Sequence, residues 1–164
     1  MIGERNATVV TRPATAADVP AISACARAAY EKYLPRMDRE PAPMIADFAA
    51  HVAAGEVHVL VEDGALLGYI VAMARADCWF VDNVAVAPEH QGRSLGRRLM
   101  DLAEAAARER GLGEVRLYTN VVMTENIGFY GRLGFVETER VREHGFDRVY
   151  MAKRLEQTDE RETS

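Results

Sequence analysis

The sequence predicts an α/β protein with a mixed, mostly antiparallel sheet of about six to seven strands and about four helices. Runs with the two-residue period of strands outnumber segments with the helical period. Some of these runs are joined by short turns and form hairpins, whereas others flank a helix and form strand–helix–strand units. Hairpins need antiparallel neighbours and crossovers need parallel ones, so we expect both directions in one sheet.

In the first half of the chain, apolar spacing and the residues that end each run define the elements. An Asp-Gly pair at 63–64 separates two alternating runs, which is a strong signal for a tight hairpin. Gly55 follows the second helix at the position where a left-handed residue often ends a helix. We predict strands at Thr8–Arg12, Val57–Glu62 and Leu66–Ala74, and helices at Val19–Tyr33 and Met44–Ala54.

In the second half, a glycine-containing turn after Pro88 leads into a long helix with leucines and alanines on one face. A His-Gly pair at 144–145 joins the last two strands. We predict strands at Trp79–Ala87, Val115–Thr119, Phe135–Arg142 and Phe146–Met151, and helices at Ser94–Arg110 and Asn126–Leu133.

The composition is that of an ordinary globular protein. Of the 164 residues, 49% are hydrophobic and 27% are charged, and this length fits one domain, which we expect over residues 1–155. Residues 156–164 are charged and lack apolar side chains, so we expect a disordered tail. The net charge of −5 disfavours nucleic acid as a partner and weakly favours cationic partners such as amines.

Cysteine and histidine spacing predicts neither a disulfide framework nor a metal site. Cys25 and Cys78 form no CxxC pattern, and the histidines form no HExxH pattern. Each cysteine is expected to pack as a small apolar residue. The first residues lack the apolar stretch of a signal peptide, and the apolar run Leu66–Ala74 is too short to cross a bilayer. We therefore expect a cytoplasmic protein without a membrane partner.

The segment from Val84 to Met100 carries the clearest chemical signal. A strand ends at a proline, the chain turns through Gly92 and Gly96, and a helix starts at once. Such a turn directs unpaired backbone N–H groups at one point, at the positive end of the helix dipole, which suits a pyrophosphate. We expect Gly92 to let a ligand approach the backbone and Gly96 to let the helix pack closely. Added positive charge is expected from Arg93, Arg97 and Arg98.

Two familiar phosphate-binding motifs are absent, since the segment fits neither GxxxxGK[ST] nor GxGxxG. The segment instead resembles the Q/R-x-x-G-x-G/A signature of the GNAT acetyltransferase superfamily, in which this turn binds the pyrophosphate of coenzyme A. Gln91 and Gly96 match the first and last positions of the signature, and Ser94 stands where the middle glycine is usual. A serine there can still offer its backbone N–H, provided that its φ angle is not positive.

Residues 126–135 resemble a second element of the superfamily, N-x-x-A-x-x-x-Y-x-x-x-G-F, in a slightly compressed form. Gly128 takes a position that is often alanine, and the tyrosine, glycine and phenylalanine of the element fall on Tyr130, Gly134 and Phe135. The resemblance extends from Thr8 to about Leu155. Two signatures in the right order and on the right elements are more specific than either alone.

The resemblance implies a GNAT fold and an N-acetyltransferase that uses acetyl-CoA as its co-substrate, without a metal. It implies that the central strand pairs with the pantetheine arm and that a backbone N–H near Val84 polarises the thioester carbonyl. Asn126 would contact the coenzyme or an ordered water, and can also be the N-cap of its helix. The expected coenzyme-binding residues are Val84, Ala85, Val86, Gln91, Gly92, Arg93, Ser94, Leu95, Gly96, Arg97, Asn126 and Tyr130.

The reaction needs an acid for the leaving thiolate and a base for the amine. Tyr130 is the expected acid, because a phenol of pKa about 10 can protonate a thiolate whose thiol has a pKa of about 8.5. Some relatives have a glutamate four residues before the carbonyl-polarising position, but that position here is Phe80. Asp82, on the same face of the strand, is the leading candidate base. Its pairing with an arginine is an equal alternative, and Glu31, Tyr118 or a water chain are other candidates for the base.

The expected acceptor is a primary amine of a small molecule, attacked directly in a ternary complex. In this fold the first two helices, their link and the late hairpin usually line the acceptor pocket. The expected substrate-binding residues are Glu31, Tyr33, Trp79 and Tyr118. A homodimer is common in the superfamily, with the terminal hairpin as an interface. Two alternatives stay open: a non-catalytic acyl-CoA binding or sensing domain, and an acetyltransferase that acts on protein amines.

Overall fold

The computed structural model describes residues 8–156, whose strands form one seven-stranded sheet in the order β1-β2-β3-β4-β5-β7-β6. β4 and β5 run parallel. Antiparallel pairs are formed by β1 with β2, β2 with β3, β5 with β7 and β6 with β7. The mixed, mostly antiparallel sheet predicted from the sequence is therefore confirmed. The predicted tail lies outside the described residues from position 157 onward.

The strands are β1 Val10–Pro13, β2 Val57–Glu62, β3 Ala65–Ala74, β4 Trp79–Val86, β5 Glu114–Asn120, β6 Val136–Glu143 and β7 Phe146–Arg154. The α-helices are α1 Val19–Tyr30, α2 Phe48–Ala53, α3 Leu95–Glu109 and α4 Thr124–Arg132. Most ends agree with the predicted ones within two residues. β7 continues three residues past its predicted end because it pairs with β5 as far as Arg154 opposite Glu114.

Both helices predicted in the first half are shorter than expected. α1 ends at Tyr30, and the chain continues as a 3-10 helix over Glu31–Arg36, which contains Pro35. Proline lacks the N–H that an α-helix would use. The second predicted helix is interrupted, because the Asp47 carboxylate accepts a hydrogen bond from the Ala50 N–H and starts α2 there.

Two tight hairpin turns have the left-handed backbone that their sequences favour. Asp63 and Gly64 have φ angles of 52° and 80°, and His144 and Gly145 have φ angles of 53° and 80°. Two successive positive φ angles are the mark of a type I′ turn, whose twist matches that of the flanking strands. The predicted hairpins at 63–64 and 144–145 are thus confirmed.

The described chain divides into two compact units, and β4 contributes to both. One unit contains residues 8–72 and 83–99, and the other contains 73–82 and 100–156. In the first unit, the largest side chains withdrawn from solvent include Ile22, Tyr33, Leu60, Leu67 and Tyr69. In the second unit, the buried side chains of α3 and β5 include Met100, Ala103, Ala107, Val115 and Leu117.

A salt bridge joins β7 to α3 in the second unit, where the Lys153 ammonium lies 2.7 Å from a carboxylate oxygen of Glu104.

Within residues 8–156, no helix is long and apolar enough to cross a membrane.

Strands β3 and β4 approach each other closely at Gly68. A Cβ atom at this position would lie only 2.7 Å from the Ala85 carbonyl oxygen and 3.3 Å from the Cα of Val86. Both of those atoms belong to the backbone, so neither can move aside as a flexible side chain would. Glycine is therefore required at position 68 because of these neighbouring atoms and not because of its own φ angle. Its lack of a side chain lets β4 lie this close to β3.

We expect Gly68→Ala to lower the free energy of unfolding by about 1–3 kcal/mol, because the added methyl group must displace β4. The matched control is Gly113→Ala, since a Cβ there meets no atom within 4 Å. Urea denaturation of both variants measures the difference. Equal stability of the two variants would contradict the close approach.

Candidate functional site

The turn between β4 and α3 has an exposed backbone with two left-handed residues. Gly92 has a φ angle of 88° and Ser94 one of 63°, and Arg93 between them lies outside that region. Alternation of right- and left-handed residues points successive N–H groups to one side and forms an anion-binding concavity. A Cβ at Gly92 would meet no atom within 4 Å, so this side of the turn is open.

Ser94 does not meet the condition set from the sequence, a φ angle that is not positive, because its φ angle is 63°. A left-handed conformation at this position lets the chain turn directly into α3, whose first hydrogen bond runs from the Arg98 N–H to the Ser94 carbonyl at 3.1 Å. The side chain costs about 1–2 kcal/mol in this region. The N–H of Ser94 is not lost as a donor, since the left-handed residue is part of what makes the N–H groups converge.

Two of the three arginines of the turn already have partners, Arg93 among side chains and Arg98 on a backbone carbonyl. The Arg93 guanidinium lies 3.0 Å from a carboxylate oxygen of Glu62 and 3.2 Å from Nδ1 of His90. Arg98 donates a hydrogen bond of 2.8 Å to the Val9 carbonyl. Arg97 is exposed and forms no ion pair with residues of the described chain, so the turn carries less uncompensated positive charge than its sequence indicates.

The end of β4 is held by two side chains from outside the strand. The buried Tyr30 hydroxyl donates a hydrogen bond of 3.1 Å to the Val84 carbonyl. The amide of Gln91 donates one of 3.1 Å to the Val86 carbonyl. Val84 and Ala85 are buried and Val86 is half-buried. Sequence reasoning did not predict the Tyr30 bond, because its partners are 54 positions apart.

A second group of side chains lies on one face of the second unit. The Tyr118 cluster consists of Phe80, Asp82, Tyr118, Glu143, Arg148 and Tyr150. The ring centroid of Tyr118 lies 5.9 Å from that of Phe80 and 5.6 Å from that of Tyr150. Asp82 directly follows Val81, which pairs with Leu117, and its carboxylate acts electrostatically on the Tyr118 phenol. Asp82, the leading candidate base, and Tyr118, a predicted substrate-binding residue, are thus neighbours in the structure.

Glu143, Arg148 and Tyr150 are the members of the cluster that sequence reasoning missed, and Arg148 is the one that contacts the Tyr118 ring face. Its guanidinium carbon lies 4.1 Å from the centroid of the Tyr118 ring, and its Nη1 lies 2.8 Å from Oε2 of Glu143. The Tyr150 hydroxyl donates a second hydrogen bond of 2.8 Å to the same oxygen. Arg148 occupies a buried position of β7, so the alternation along this strand could have indicated a paired arginine. Its partner and its ring contacts depend on the register between strands.

Burial and the neighbouring Asp82 together raise the pKa of the Tyr118 phenol. Burial raises the pKa of Tyr118, and the Asp82 carboxylate raises it further, because both disfavour a phenolate. The Arg148 guanidinium opposes this shift. The hydrogen bond from Tyr150 holds the pKa of Glu143 below its usual range. The Tyr118 phenol therefore lies beside Asp82 as a neutral group, and a carboxylate is a group that can accept a proton from an ammonium.

Tyr130 lies near the end of α4 and is buried. Its ring centroid lies 5.3 Å from that of Phe129 and 5.9 Å from that of Phe135, so aromatic packing fixes the ring. The expectation that Asn126 is the N-cap of its helix is wrong. The N-cap is Met123, because α4 begins at Thr124, two residues earlier than expected. Asn126 lies inside the first turn, and its amide contacts the Met123 sulfur at 3.7 Å.

Three predicted acceptor residues remain: Glu31, Tyr33 and Trp79. Trp79 lies on the opposite face of β4 from Asp82, because side chains alternate along a strand, and the Arg110 guanidinium lies 4.6 Å from its ring centroid. Tyr33 belongs to the first unit and is only 1% exposed. Glu31 is exposed at the start of the 3-10 helix. Of these three residues, Trp79 is in the same unit as Asp82, on the other face of β4.

Neither cysteine has the surroundings of a nucleophile. Cys25 and Cys78 are both buried and unbridged, and burial raises the pKa of Cys25 to about 12. They pack as small apolar residues, as expected. Within residues 8–156, no group of three or more His, Cys, Asp or Glu side chains lies close enough to hold a metal ion.

Comparison with known proteins gives one family and several relatives. The model of the acetyltransferase (GNAT) family matches residues 22–135. Streptothricin acetyltransferase of Streptomyces lavendulae is 38% identical over 77 residues, which are 44% of this chain and 40% of that protein. The chain thus spans less than half the length of this curated relative.

Solved structures give the same result for the fold. Nourseothricin acetyltransferase matches with a TM-score of 0.58 and 32% identity, over 61% of this chain and 65% of that chain. The PaiA N-acetyltransferase of Thermoplasma acidophilum, solved in complex with coenzyme A, matches with a TM-score of 0.75 and 18% identity. That match covers 90% of this chain and 99% of the other. The GNAT fold is therefore confirmed over most of the chain.

We expect Ser94→Gly to raise the free energy of unfolding by about 0.5–1 kcal/mol. The substitution removes the left-handed penalty of about 1–2 kcal/mol and adds about 0.5–1 kcal/mol of chain entropy. Ser23→Gly, at an exposed position inside α1, is the matched control and should be destabilising. Urea denaturation measures both, and a loss of stability for both variants would argue against strain at Ser94.

Proposed function

Because the chain belongs to the acetyltransferase (GNAT) family, we propose that it transfers an acetyl group from acetyl-CoA to a primary amine of a small molecule. The observation that best supports this proposal is the open turn at 91–96. Two left-handed residues there direct N–H groups to one side at the start of α3. An anion of the shape and charge of a pyrophosphate suits this arrangement.

The donor is held mainly by backbone groups. The N–H groups from Gly92 to Gly96 bind the pyrophosphate, and the exposed Arg97 adds a positive charge. The open space above Gly92 supports this role, because a side chain there would fill it. The pantetheine arm lies along Val84–Val86 as an added strand would. Tyr30, by its bond to the Val84 carbonyl, keeps this backbone in one position.

The transfer itself needs no covalent enzyme intermediate. The nitrogen lone pair of a neutral amine attacks the thioester carbonyl carbon, and the oxyanion that forms is stabilised by the backbone N–H of Val84. The carbon–sulfur bond then breaks, and the sulfur leaves as a thiolate. Tyr130 protonates this thiolate, the nitrogen of the adduct loses its extra proton to water, and the Tyr130 phenolate regains a proton from water, so the products are the amide and free coenzyme A. The packed ring of Tyr130 supports this role, because packing limits the directions of its hydroxyl.

Asp82 is the proposed base for the amine. An alkylammonium has a pKa of about 10.4, so its proton must be accepted before attack at neutral pH. The carboxylate lies beside a neutral phenol on the half-buried face of the Tyr118 cluster. A carboxylate next to aromatic rings also favours the binding of a cation. Asp82 would therefore attract the ammonium and then take its proton.

The names of two relatives support a small molecule as the acceptor. The chain is 38% identical in part to a streptothricin acetyltransferase and 32% identical in part to a nourseothricin acetyltransferase. Because each match covers only part of the relative, the acceptor of this chain is taken as a class: small molecules with a primary amine.

A thiol-release assay with acetyl-CoA and a panel of small primary amines tests this function. We expect release of coenzyme A only when an active amine is present, with one acetylated amine per thiol by mass spectrometry. Acetyl-CoA binding without amine-dependent release would instead favour a sensing domain. Acetylation of protein amines alone would favour a protein-directed enzyme.

We expect Tyr130→Phe to lower kcat about 100-fold or more, since general acid catalysis contributes about that much. Binding of acetyl-CoA, measured by calorimetry, should not change. Tyr69→Phe is the control, because it removes another buried hydroxyl outside the proposed site. An unchanged kcat in Tyr130→Phe would rule out this acid.

We expect Asp82→Asn to lower kcat about 100-fold at neutral pH with little change in acetyl-CoA binding. Without the base, the rate should rise with pH toward the pKa of the amine, about 10.4, as more neutral amine becomes available. Asp101→Asn, at an exposed position of α3, is the matched control. Asp82 is not the base if both variants keep the wild-type pH profile.

A further inference from the structure

The buried guanidinium on β7 points to a role beyond packing. We propose that Arg148 is a positioning residue of the acceptor site, which holds the Tyr118 ring so that its hydroxyl faces Asp82. The inference rests on the proposed function, because it assigns Arg148 to the base side of that reaction. Its test separates the two, since the state of Tyr118 can be measured without turnover.

The Arg148 guanidinium forms an ion pair with Glu143 and also lies against the face of the Tyr118 ring. It is only 9% exposed, and its Nη1 lies 2.8 Å from Oε2 of Glu143. The Tyr150 hydroxyl donates to the same oxygen at 2.8 Å, so Glu143 is itself held. The guanidinium plane is thereby kept over the Tyr118 ring, with its carbon 4.1 Å from the centroid. A planar group in this position restricts the ring more than a flexible ammonium would.

The Tyr118 ring has neighbours from both adjacent strands. On the β4 side the Phe80 ring lies at 5.9 Å, and on the β7 side the ring of Tyr150, the register partner of Tyr118, lies at 5.6 Å. Neither neighbour carries a full charge that would attract the π face of Tyr118. Arg148 does, because the face of an aromatic ring attracts a cation. Arg148 therefore supplies the directional contact that sets the tilt of the ring.

Charged and titratable groups face the Tyr118 phenol from three strands. Asp82 comes from β4, Arg148 and Tyr150 from β7, and Glu143 from β6. Arg148 is the cation in this set, and it opposes the rise in the pKa of Tyr118 that burial and Asp82 cause. Removing its charge should therefore raise the pKa of Tyr118 further. Movement of the Tyr118 ring away from Asp82 would instead lower the pKa of Tyr118, because the Asp82 carboxylate raises it.

The test uses Arg148→Met, which removes the charge, and Arg148→Lys, which keeps the charge but not the planar stack. Tyrosinate absorbance is titrated in each variant and in the same variant carrying Tyr118→Phe, and the difference reports Tyr118 alone. Arg140→Met, on the exposed strand β6, is the matched control. Turnover as a function of pH and acetyl-CoA binding are measured on the same proteins.

We expect the Tyr118 titration to shift in Arg148→Met and, less, in Arg148→Lys, with about a tenfold or greater fall in kcat for Arg148→Met. Acetyl-CoA binding should stay within about twofold of wild type in both variants. An unchanged titration and pH profile in folded Arg148→Met would overturn the proposal. So would a shifted titration with unchanged turnover. If Arg148→Met does not fold, the same comparison is made with Arg148→Lys. Loss of amine acetylation in wild type would refute the proposed function, while the titration would still test the positioning.

Discussion

The close approach of Gly68 to Ala85 constrains β4, the strand from which the candidate site is built. A Cβ atom on Gly68 would lie only 2.7 Å from the Ala85 carbonyl oxygen. The Tyr30 hydroxyl fixes the same strand through the preceding carbonyl of Val84. Because β4 also carries Asp82 and leads into the turn at 91–96, a displacement of this strand would move both the proposed donor site and the proposed base. The proposed coenzyme-binding groups are mostly backbone groups, and Tyr30 and Gln91 are the side chains that hold this backbone in place.

The turn after β4 contains a residue in an unfavourable backbone conformation. Ser94 is held at a φ angle of 63°, where glycine would be relaxed, and strain of this kind is common where a backbone must present N–H groups to a ligand. The pairing of Arg93 with Glu62 limits the positive charge of the turn. Under the proposed function, affinity for the donor would come from converging N–H groups more than from net charge, so moderate salt should weaken binding only partly.

The sequence alone predicted what depends on local pattern. The bounds of β2, the Asp63-Gly64 hairpin and the position of the turn follow from alternation, glycine placement and proline. It could not predict features that depend on distant partners. The φ angle of Ser94 results from how the chain enters α3, and the Asp47 cap breaks a helix that apolar spacing favours. Arg148 is the clearest case, since its contacts with Glu143 and Tyr118 follow from the register of β5, β6 and β7.

Under the proposed function, the turn at 91–96 binds the pyrophosphate of an acyl-CoA donor. Calorimetric titration of the protein with acetyl-CoA and with acetyl-pantetheine, which has the same thioester but no pyrophosphate, tests it most directly. Two charge-assisted hydrogen bonds of about 1.5 kcal/mol each correspond to a difference in Kd of about a hundredfold. We expect acetyl-CoA to bind at least a hundredfold more tightly, and equal affinity for the two ligands would rule out a pyrophosphate site at this turn.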